Sequence, residues 1–287
     1  KKQRSHQNQQ IKQMSHFPLI IDIGARWSYK LSTIKQINKN FIYIGFEPDS
    51  IECNRLNKKF SKYKNIKFFQ HAIGKVNKNK NKFYITKVPE CSSLKKPIEY
   101  FIQNFNELNV VKLKKEIIIS TITLKKFLSD YFFDTIAYLK LDTQGTELDI
   151  LKGSGDLIKN TLIIESEFQL NNLYHNSNLF SAADIYLRNM GFTLWNIRSL
   201  AHHRINGLNH SYDCNFNFNF DNRNYLINKF DDSQVFWGDF IFINTSLFNN
   251  KQFFLKHLND INNLESIYNI SGIKNFLHQN AKVKKWI

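Results

Sequence analysis

Short apolar runs alternate with helical stretches from residue 19 onwards, and this alternation limits the possible folds more than any other feature of the sequence. Strands that alternate with helices are typical of β-α-β units and of a parallel sheet. A long segment, 199–234, separates the last two runs, so we expect them to finish the sheet as an antiparallel pair. The predicted strands are 19–23, 41–46, 66–70, 136–141, 161–165, 192–197 and 235–243.

Capping residues and glycines mark the ends of the predicted helices. The lysine-rich run at 75–82 is predicted as a loop, and CNFNFNFDN at 214–222 as either an edge strand or low-complexity sequence. The predicted helices are 51–60 capped by Ser50, TLKKFLSDYF beginning at Thr123, 147–152 closed by Gly153, and 182–190 closed by Gly191.

One α/β domain is expected over residues 18–245. Residues 1–17 are predicted as a polar N-terminal arm. Residues 246–287 carry apolar residues at helical spacing, which predicts a helical C-terminal tail that packs on the domain or on a partner. The tail is therefore a candidate surface for oligomer formation.

Acidic residues follow the ends of several predicted strands. Asp22 ends the first strand, Glu47 the second and Asp142 the fourth. Ligands of an open α/β sheet bind beyond the carboxyl ends of its strands, so we expect these residues at one site. A carboxylate such as Glu47 can accept hydrogen bonds from both hydroxyls of a ribose. NAD and S-adenosylmethionine share that requirement.

The loop after the first strand distinguishes these two cofactors. It contains Gly24 and then Arg26, Trp27 and Ser28, where a dinucleotide-binding loop would have two more glycines. Those glycines let the backbone approach a pyrophosphate at a helix N-terminus. S-adenosylmethionine has no phosphate, so one glycine suffices and bulkier residues can follow. The loop therefore predicts S-adenosylmethionine as the cofactor.

Seven stretches in the same order resemble the FkbM-type methyltransferases: IDIGAR, GFEPDS, HAIG, ECSSL, LKLDTQGTELDILKGSG, IIESEF and FWGDFIF. The resemblance implies an α/β fold of the class I methyltransferase (Rossmann-like) type, bound S-adenosylmethionine and O-methylation of a sugar or another small-molecule hydroxyl, while some relatives are linked to peptides. The chain has Arg26 and Ser28 where many members have Asn and Gly, and Lys125 where an Asp is common.

Two sets of site residues follow from the strand ends and the resemblance. Asp142 is predicted to orient the methionine ammonium or to accept the acceptor's proton, and Glu147 either to act as a base or to face its helix dipole. The residues predicted to hold the cofactor are Asp22, Gly24, Ala25, Arg26, Glu47, Pro48, His71, Ala72, Ser92, Ser93 and Asp142. The residues predicted to take part in catalysis are Asp142, Glu147, Glu165, Glu167 and His202.

Glu165 and Glu167 should point to the same face of their strand, because side chains alternate along a strand. With Asp142 they are expected to form an acidic pocket for base catalysis. A divalent metal site is the less favoured interpretation, and no metal is predicted. His202 is a candidate base or a surface residue, and Trp237 and Asp239 are candidates for the acceptor side.

The net charge of +16 has two explanations. An anionic partner such as nucleic acid would account for it, but the Lys, Asn, Ile and Phe content also indicates an AT-rich genome, which we favour. A nucleic-acid methyltransferase is not expected: Asp142-Thr143-Gln144 replaces the Pro-Pro-aromatic turn of amine-methylating enzymes, and no cysteine follows a proline. A peptide methyltransferase and a non-catalytic cofactor-binding module remain as further alternatives.

The three cysteines, Cys53, Cys91 and Cys214, have no CxxC spacing, which argues against a zinc site and a disulfide framework. No apolar run approaches the roughly 20 residues that span a bilayer. These features predict a protein of the reducing cytoplasm.

Overall fold

The computed structural model describes residues 17–27, 33, 36–37, 40–129, 131, 133, 135–206, 216–220, 223–227, 233–270, 272–273 and 275. Residues 1–16 of the predicted arm, the side chains of Trp27 and Ser28, Cys214, and the end of the predicted tail lie outside these residues.

A seven-stranded sheet forms the centre of the described chain. Its strands are β1 (Leu19–Ile23), β2 (Ile42–Phe46), β3 (Ile66–Phe69), β7 (Ile136–Leu141), β8 (Thr161–Gln169), β9 (Phe192–His203) and β12 (Gln234–Asn244). Their order is β3-β2-β1-β7-β8-β12-β9. The pairs from β3 to β8 are parallel, and β12 runs antiparallel to both β8 and β9. The predicted parallel sheet with an antiparallel finish, the class I methyltransferase arrangement, is confirmed.

Helices cover both faces of this sheet, which explains why β1 and β2 are buried along their whole length. The helices are α1 (Ser50–Lys59), α2 (Glu99–Asn104), α3 (Leu124–Ser129), α4 (Glu147–Ser154), α5 (Phe180–Asn189) and α6 (Lys251–Tyr268). On one face, Ile21 and Ile23 share a core cluster with helices α3, α4 and α5; on the other, Ile20 and Tyr138 share one with α1 and α6.

Two predicted helix ends are wrong. Asp49, not Ser50, caps α1, because its carboxylate accepts hydrogen bonds from the backbone N–H groups of Ile51 and Glu52. Helix α4 continues through Gly153 and ends at Ser154, with Gly155 as its C-cap. A Cβ at Gly153 would lie 2.7 Å from the carbonyl oxygens of Gly74 and Lys75, so this glycine allows close packing and does not end the helix.

The predicted loop at 75–82 is also wrong, because a strand begins within it. β5 (Lys78–Thr86) pairs antiparallel with β6 (Leu113–Ile122), and β6 pairs parallel with the short β4 (Ala72–Ile73). We call these three strands the small sheet. A separate hairpin joins β10 (Phe216–Phe220) to β11 (Arg223–Ile227), so the first of them is not an edge strand of the central sheet.

Helix α6 forms the described part of the predicted tail. Its buried residues Phe254, Ile261 and Leu264 lie in the same core cluster as Ile20 and Tyr138 of the central sheet. The tail therefore packs on the domain, one of its two predicted positions. Within the residues described above, none of the helices is both long and apolar enough to cross a membrane.

Candidate active site

A cavity of about 720 Å³ lies beyond the carboxyl ends of the central parallel strands. Its floor is formed by residues that follow β1, β2, β3 and β7, together with Glu167 on β8. Phe83 and Ile117 of the small sheet and Trp237 of β12 line its other walls. The position agrees with the rule that ligands of open α/β sheets bind beyond the carboxyl ends of the strands.

Most, but not all, of the predicted site residues line the cavity. Those that line it are Gly24, Arg26, Glu47, Pro48, His71, Ala72, Ser92, Asp142 and Glu167. Those that do not line it are Asp22, Ala25, Ser93, Glu147, Glu165 and His202.

Glu47 presents a buried carboxylate to the cavity. Its side chain is 5% exposed, and its Oε1 accepts a hydrogen bond of 2.8 Å from the backbone N–H of Asp49. Arg26 Nη2 lies 3.7 Å from the same oxygen and donates at 2.7 Å to Asp49 Oδ2. Burial raises the pKa of Glu47 to about 7, although the N–H of Asp49 and the charge of Arg26 oppose the shift. This geometry leaves a fixed acidic group at the end of β2.

Gly24 allows the ends of β1 and β7 to meet. Its φ is +89°, and a Cβ there would lie 1.8 Å from the carbonyl oxygen of Asp142. The N–H of Asp142 donates to the carbonyl of Ile23 at 2.9 Å, and that of Gly24 donates to Phe46 at 3.1 Å. A side chain at position 24 would therefore separate the strand ends that form the cavity floor.

Lys140 lies between two acids below the cavity, and sequence reasoning missed it. Its Nζ is 3.4 Å from Asp142 Oδ2 and 4.0 Å from Asp22 Oδ1. Burial by itself lowers the pKa of this lysine, but Asp22, Asp142 and Glu165 raise it above its ordinary value. The available signal was a lysine within the otherwise apolar strand IAYLKL.

Asp22 supports this arrangement and does not reach the cavity. It is 2% exposed, and the hydroxyl of Tyr43 donates to its Oδ2 at 2.6 Å. Asp22 is buried with the rest of β1 and faces Lys140, and its direct contact with the cofactor stays a prediction. Ala25, 1% exposed, is likewise packed in the core and does not line the cavity.

Gln144 forms hydrogen bonds to two of the carboxylates that line the cavity, and sequence reasoning missed it too. Its Nε2 donates to Asp142 Oδ1 at 3.1 Å and to Glu167 Oε1 at 2.9 Å. The hydroxyl of Tyr174 donates to the amide oxygen at 3.1 Å, which fixes the orientation of the amide. Burial and then the charge of Asp142 raise the pKa of Glu167 well above its usual range.

Glu147 shapes the loop after β7 and does not face the cavity. It accepts hydrogen bonds from the N–H and hydroxyl of Thr143 and from the N–H of Gly145, at 2.8, 2.9 and 2.9 Å. These bonds engage both of its oxygens with the loop after β7, and the two roles predicted for Glu147, a base or a charge that faces its helix dipole, stay predictions. Burial raises its pKa to about 7.

Glu165 is held away from the cavity. It accepts a hydrogen bond from the hydroxyl of Tyr138, and Arg198 Nε lies 3.2 Å from its Oε2. Glu165 therefore does not line the cavity with Asp142, and its part in catalysis stays a prediction. Among the described residues, no three histidine, cysteine or acidic side chains are arranged to hold a metal ion.

Two further candidates, Ser93 and His202, lie outside the cavity lining. Ser93 Oγ donates to the carbonyl of Gln144 at 2.8 Å, so it fixes the loop after β7, and its contact with the cofactor stays a prediction. His202 does not line the cavity, but the neighbouring His203 lies against Trp237, with ring centroids 5.0 Å apart. His203 Nδ1 is 2.6 Å from Glu107 Oε2, and this contact supports the tryptophan.

A family model described as the methyltransferase FkbM domain matches residues 21–194. Two solved structures are similar at low identity. Precorrin-6y C5,15-methyltransferase from Geobacter metallireducens is 9% identical, with 79% of this chain and 81% of that one covered and a TM-score of 0.36. M. capricolum TrmK in complex with S-adenosylhomocysteine is 13% identical, with 98% and 91% covered and a TM-score of 0.36. None of the curated proteins matches the chain. The family match covers the floor of the cavity from β1 to β8.

Proposed function

The chain belongs to the FkbM methyltransferase family; it is an S-adenosylmethionine-dependent methyltransferase, and we propose that its acceptor is a hydroxyl group of a sugar or a related small molecule. The observation that carries the proposal is the meeting of Asp142, Glu167 and Trp237 at one cavity. The carboxylates can receive a proton and hydrogen-bond hydroxyl groups, while the tryptophan offers an apolar face to the C–H groups of a sugar ring.

The residues at the end of β2 fit the cofactor. Glu47 would accept hydrogen bonds from the two ribose hydroxyls through the oxygen that does not receive the N–H of Asp49. Gly24 would let the backbone approach the methionine part, and His71 and Ala72 at the end of β3 would lie beside the adenine. Arg26 holds Asp49 and the end of β2 in place for this contact.

S-adenosylmethionine, when bound, supplies an electrophilic methyl carbon attached to a positively charged sulfur. We assign acceptance of the hydroxyl proton to Asp142, which Lys140 and Gln144 hold in position. Burial raises the pKa of Glu167 well above its usual range, and in its protonated form this group can donate a hydrogen bond to the acceptor. Asp142 and Glu167 thus have different roles, although one amide joins them.

Two matched variants test these roles. Asp142→Asn removes the proton acceptor and should lower the rate of methyl transfer by about 10²-fold or more, measured in single turnovers at saturating cofactor. Glu167→Gln keeps a hydrogen-bond donor like that of the protonated acid, so it should cost much less. An equal loss in both variants, or a near-normal rate for Asp142→Asn, would refute the assignment.

The acceptor class is tested with methyl-labelled cofactor and a panel of sugars, peptides and oligonucleotides. We expect label in a sugar as an O-methyl group, identified by NMR spectroscopy. Trp237→Ala should reduce transfer to that sugar and leave the affinity for S-adenosylhomocysteine unchanged, because Trp237 lies on β12 and not beside Glu47. Label found only in peptide or nucleic acid would overturn the proposal.

We further propose that this reaction takes place in the cytoplasm. Cys53 and Cys91 are free thiols in the structure, and a reducing compartment keeps thiols in that state. Fractionation of cells that express the tagged protein tests the location, and recovery outside the cytoplasmic fraction would contradict it.

A further inference from the structure

The positive charge of the chain is concentrated in residues 75–126. This segment contains twelve lysines and four acidic residues, an excess of eight in a chain whose net charge is +16. It includes β5 and β6 of the small sheet, which line the cavity on the side opposite the strand ends. Half of the excess charge therefore belongs to the part of the chain that covers the active site.

Lys114 and Lys115 bring this charge to the cavity itself. Both line it, and both are exposed residues near the start of β6. Other lysines of the segment are paired with acids: Lys82 Nζ lies 2.9 Å from Glu116, and Lys95 Nζ lies 2.8 Å from Asp149. Within the described residues, no acidic side chain forms a salt bridge with Lys114 or Lys115.

Most of the acidic residues that line the cavity lie at its opposite end, and Glu90 is the exception. Glu47 is buried, and Asp142 and Glu167 are partly buried, at the ends of the central strands. An anion at that depth would be repelled, whereas an anion beside the two lysines would be attracted. The arrangement favours an acceptor with a neutral hydroxyl at one end and an anionic group at the other.

We propose that Lys114 and Lys115 bind the phosphate group of a phosphorylated sugar acceptor, whose hydroxyl reaches Asp142. The inference rests on the proposed function, because it takes a sugar as the acceptor. A phosphate monoester carries between about −1.5 and −2 charges at neutral pH, which two ammonium groups match. Lysine is a common ligand of phosphate. A long polyanion is disfavoured because its charges would also meet the acids of the floor.

The test compares ligands that differ only in the phosphate. Glucose and glucose 6-phosphate, and ribose and ribose 5-phosphate as a second pair, are titrated by calorimetry into protein saturated with S-adenosylhomocysteine. We expect the phosphorylated member of at least one pair to bind about tenfold more tightly, the sum of two exposed charge contacts. The difference should disappear at about 0.5 M salt, where such contacts are screened.

A double variant and a matched control locate the effect. Lys114→Gln with Lys115→Gln should remove the preference for phosphate, while Lys78→Gln with Lys80→Gln, on β5 and outside the cavity lining, should retain it. Equal affinities within both pairs, or equal losses in both variants, would overturn the inference. A single-stranded oligonucleotide that binds more tightly than either sugar phosphate and loses affinity in both variants would identify nucleic acid as the ligand instead.

The outcomes also separate this inference from the proposed function. Free and phosphorylated sugars that bind equally would overturn the phosphate site and leave the sugar acceptor in place. Failure of all four ligands to bind, with S-adenosylhomocysteine bound, would overturn the phosphate site, and the sugar proposal would then be decided by the methyl-transfer panel.

Discussion

Lowering the pH from about 8 to about 6 should weaken cofactor binding about tenfold, because the pKa of Glu47 is raised by burial to about 7. The ionised carboxylate can accept hydrogen bonds from both ribose hydroxyls, whereas the protonated form has lost one acceptor site. The cofactor therefore binds the ionised form. Protonation of Glu47 competes with binding, so the sign is fixed: affinity rises with pH.

The size of the effect follows from the pKa. If only ionised Glu47 binds, the apparent Kd is the intrinsic Kd divided by the ionised fraction. With a pKa of about 7, the Kd is multiplied by about 11 at pH 6, about 2 at pH 7 and about 1.1 at pH 8. The change from pH 8 to pH 6 corresponds to about 1.4 kcal/mol of binding free energy.

Calorimetric titration of S-adenosylhomocysteine at these three pH values measures the effect. Glu47→Gln should bind more weakly at high pH and should lose the dependence. Glu90→Gln is the matched control, because Glu90 also lines the cavity but lies at its other wall and should leave the dependence intact. The amino group of the cofactor also titrates, but its contribution is the same for the unmodified protein, Glu47→Gln and Glu90→Gln, so it cancels in the comparison. A flat profile in the unmodified protein, or the same slope in Glu47→Gln, would refute the reasoning.

Three further variants or conditions test the floor of the cavity. Gly24→Ala should abolish cofactor binding and lower the free energy of unfolding by about 2–4 kcal/mol, since its Cβ would lie 1.8 Å from the carbonyl of Asp142 at a φ of +89°; urea denaturation that matches the unmodified protein would contradict this. Lys140→Met should lower the free energy of unfolding by about 2–4 kcal/mol, because Asp22 and Asp142 lose their cation. Lys140→Arg should recover part of this loss. Between about pH 5 and pH 7 the free energy of unfolding should fall by about 2 kcal/mol from Glu147 alone, because burial raises its pKa to about 7 and the unfolded chain releases the proton that the folded protein retains; denaturation curves that do not change over this range would count against it.

The sequence predicts the central sheet well because its strands are buried on both faces. LIIDI is an apolar run interrupted only by Asp22, IYIGF is one interrupted only by Gly45, and β1 and β2 are buried at every position. The same signal is absent from β5, where KNKNKFYIT begins with five polar residues, four of which are exposed in the folded chain. The alternation of apolar and polar residues that indicates a strand is not visible there, because the first five residues are all Lys or Asn. This strand of the cavity wall is therefore predicted as a loop.

Glu167 lines the cavity and Glu165 does not, because β8 extends further than β7. The alternation of side chains along a strand does not reveal how long each strand is. β8 pairs with β7 up to Leu141 and Ser166, so Glu165 lies inside the sheet opposite Lys140. β8 continues to Gln169, and Glu167 lies beyond the end of β7, where the cavity begins. The two residues share a face, as predicted, but only the second projects past the sheet.

The charges of the site give a reason for the choice of cofactor that is independent of the glycine pattern. Lys140 is surrounded by Asp22, Asp142 and Glu165, and Glu47 and Glu167 add two more acidic groups at the cavity. Arg198 offsets Glu165, and Arg26 offsets Asp49 and part of the charge of Glu47. The floor therefore has more carboxyl groups than cations, a surplus that would repel the pyrophosphate of NAD and attract a sulfonium and an ammonium group. The absence of two glycines after Gly24 removes the means of binding a pyrophosphate, and the surplus of carboxyl groups disfavours one even where the backbone could approach it.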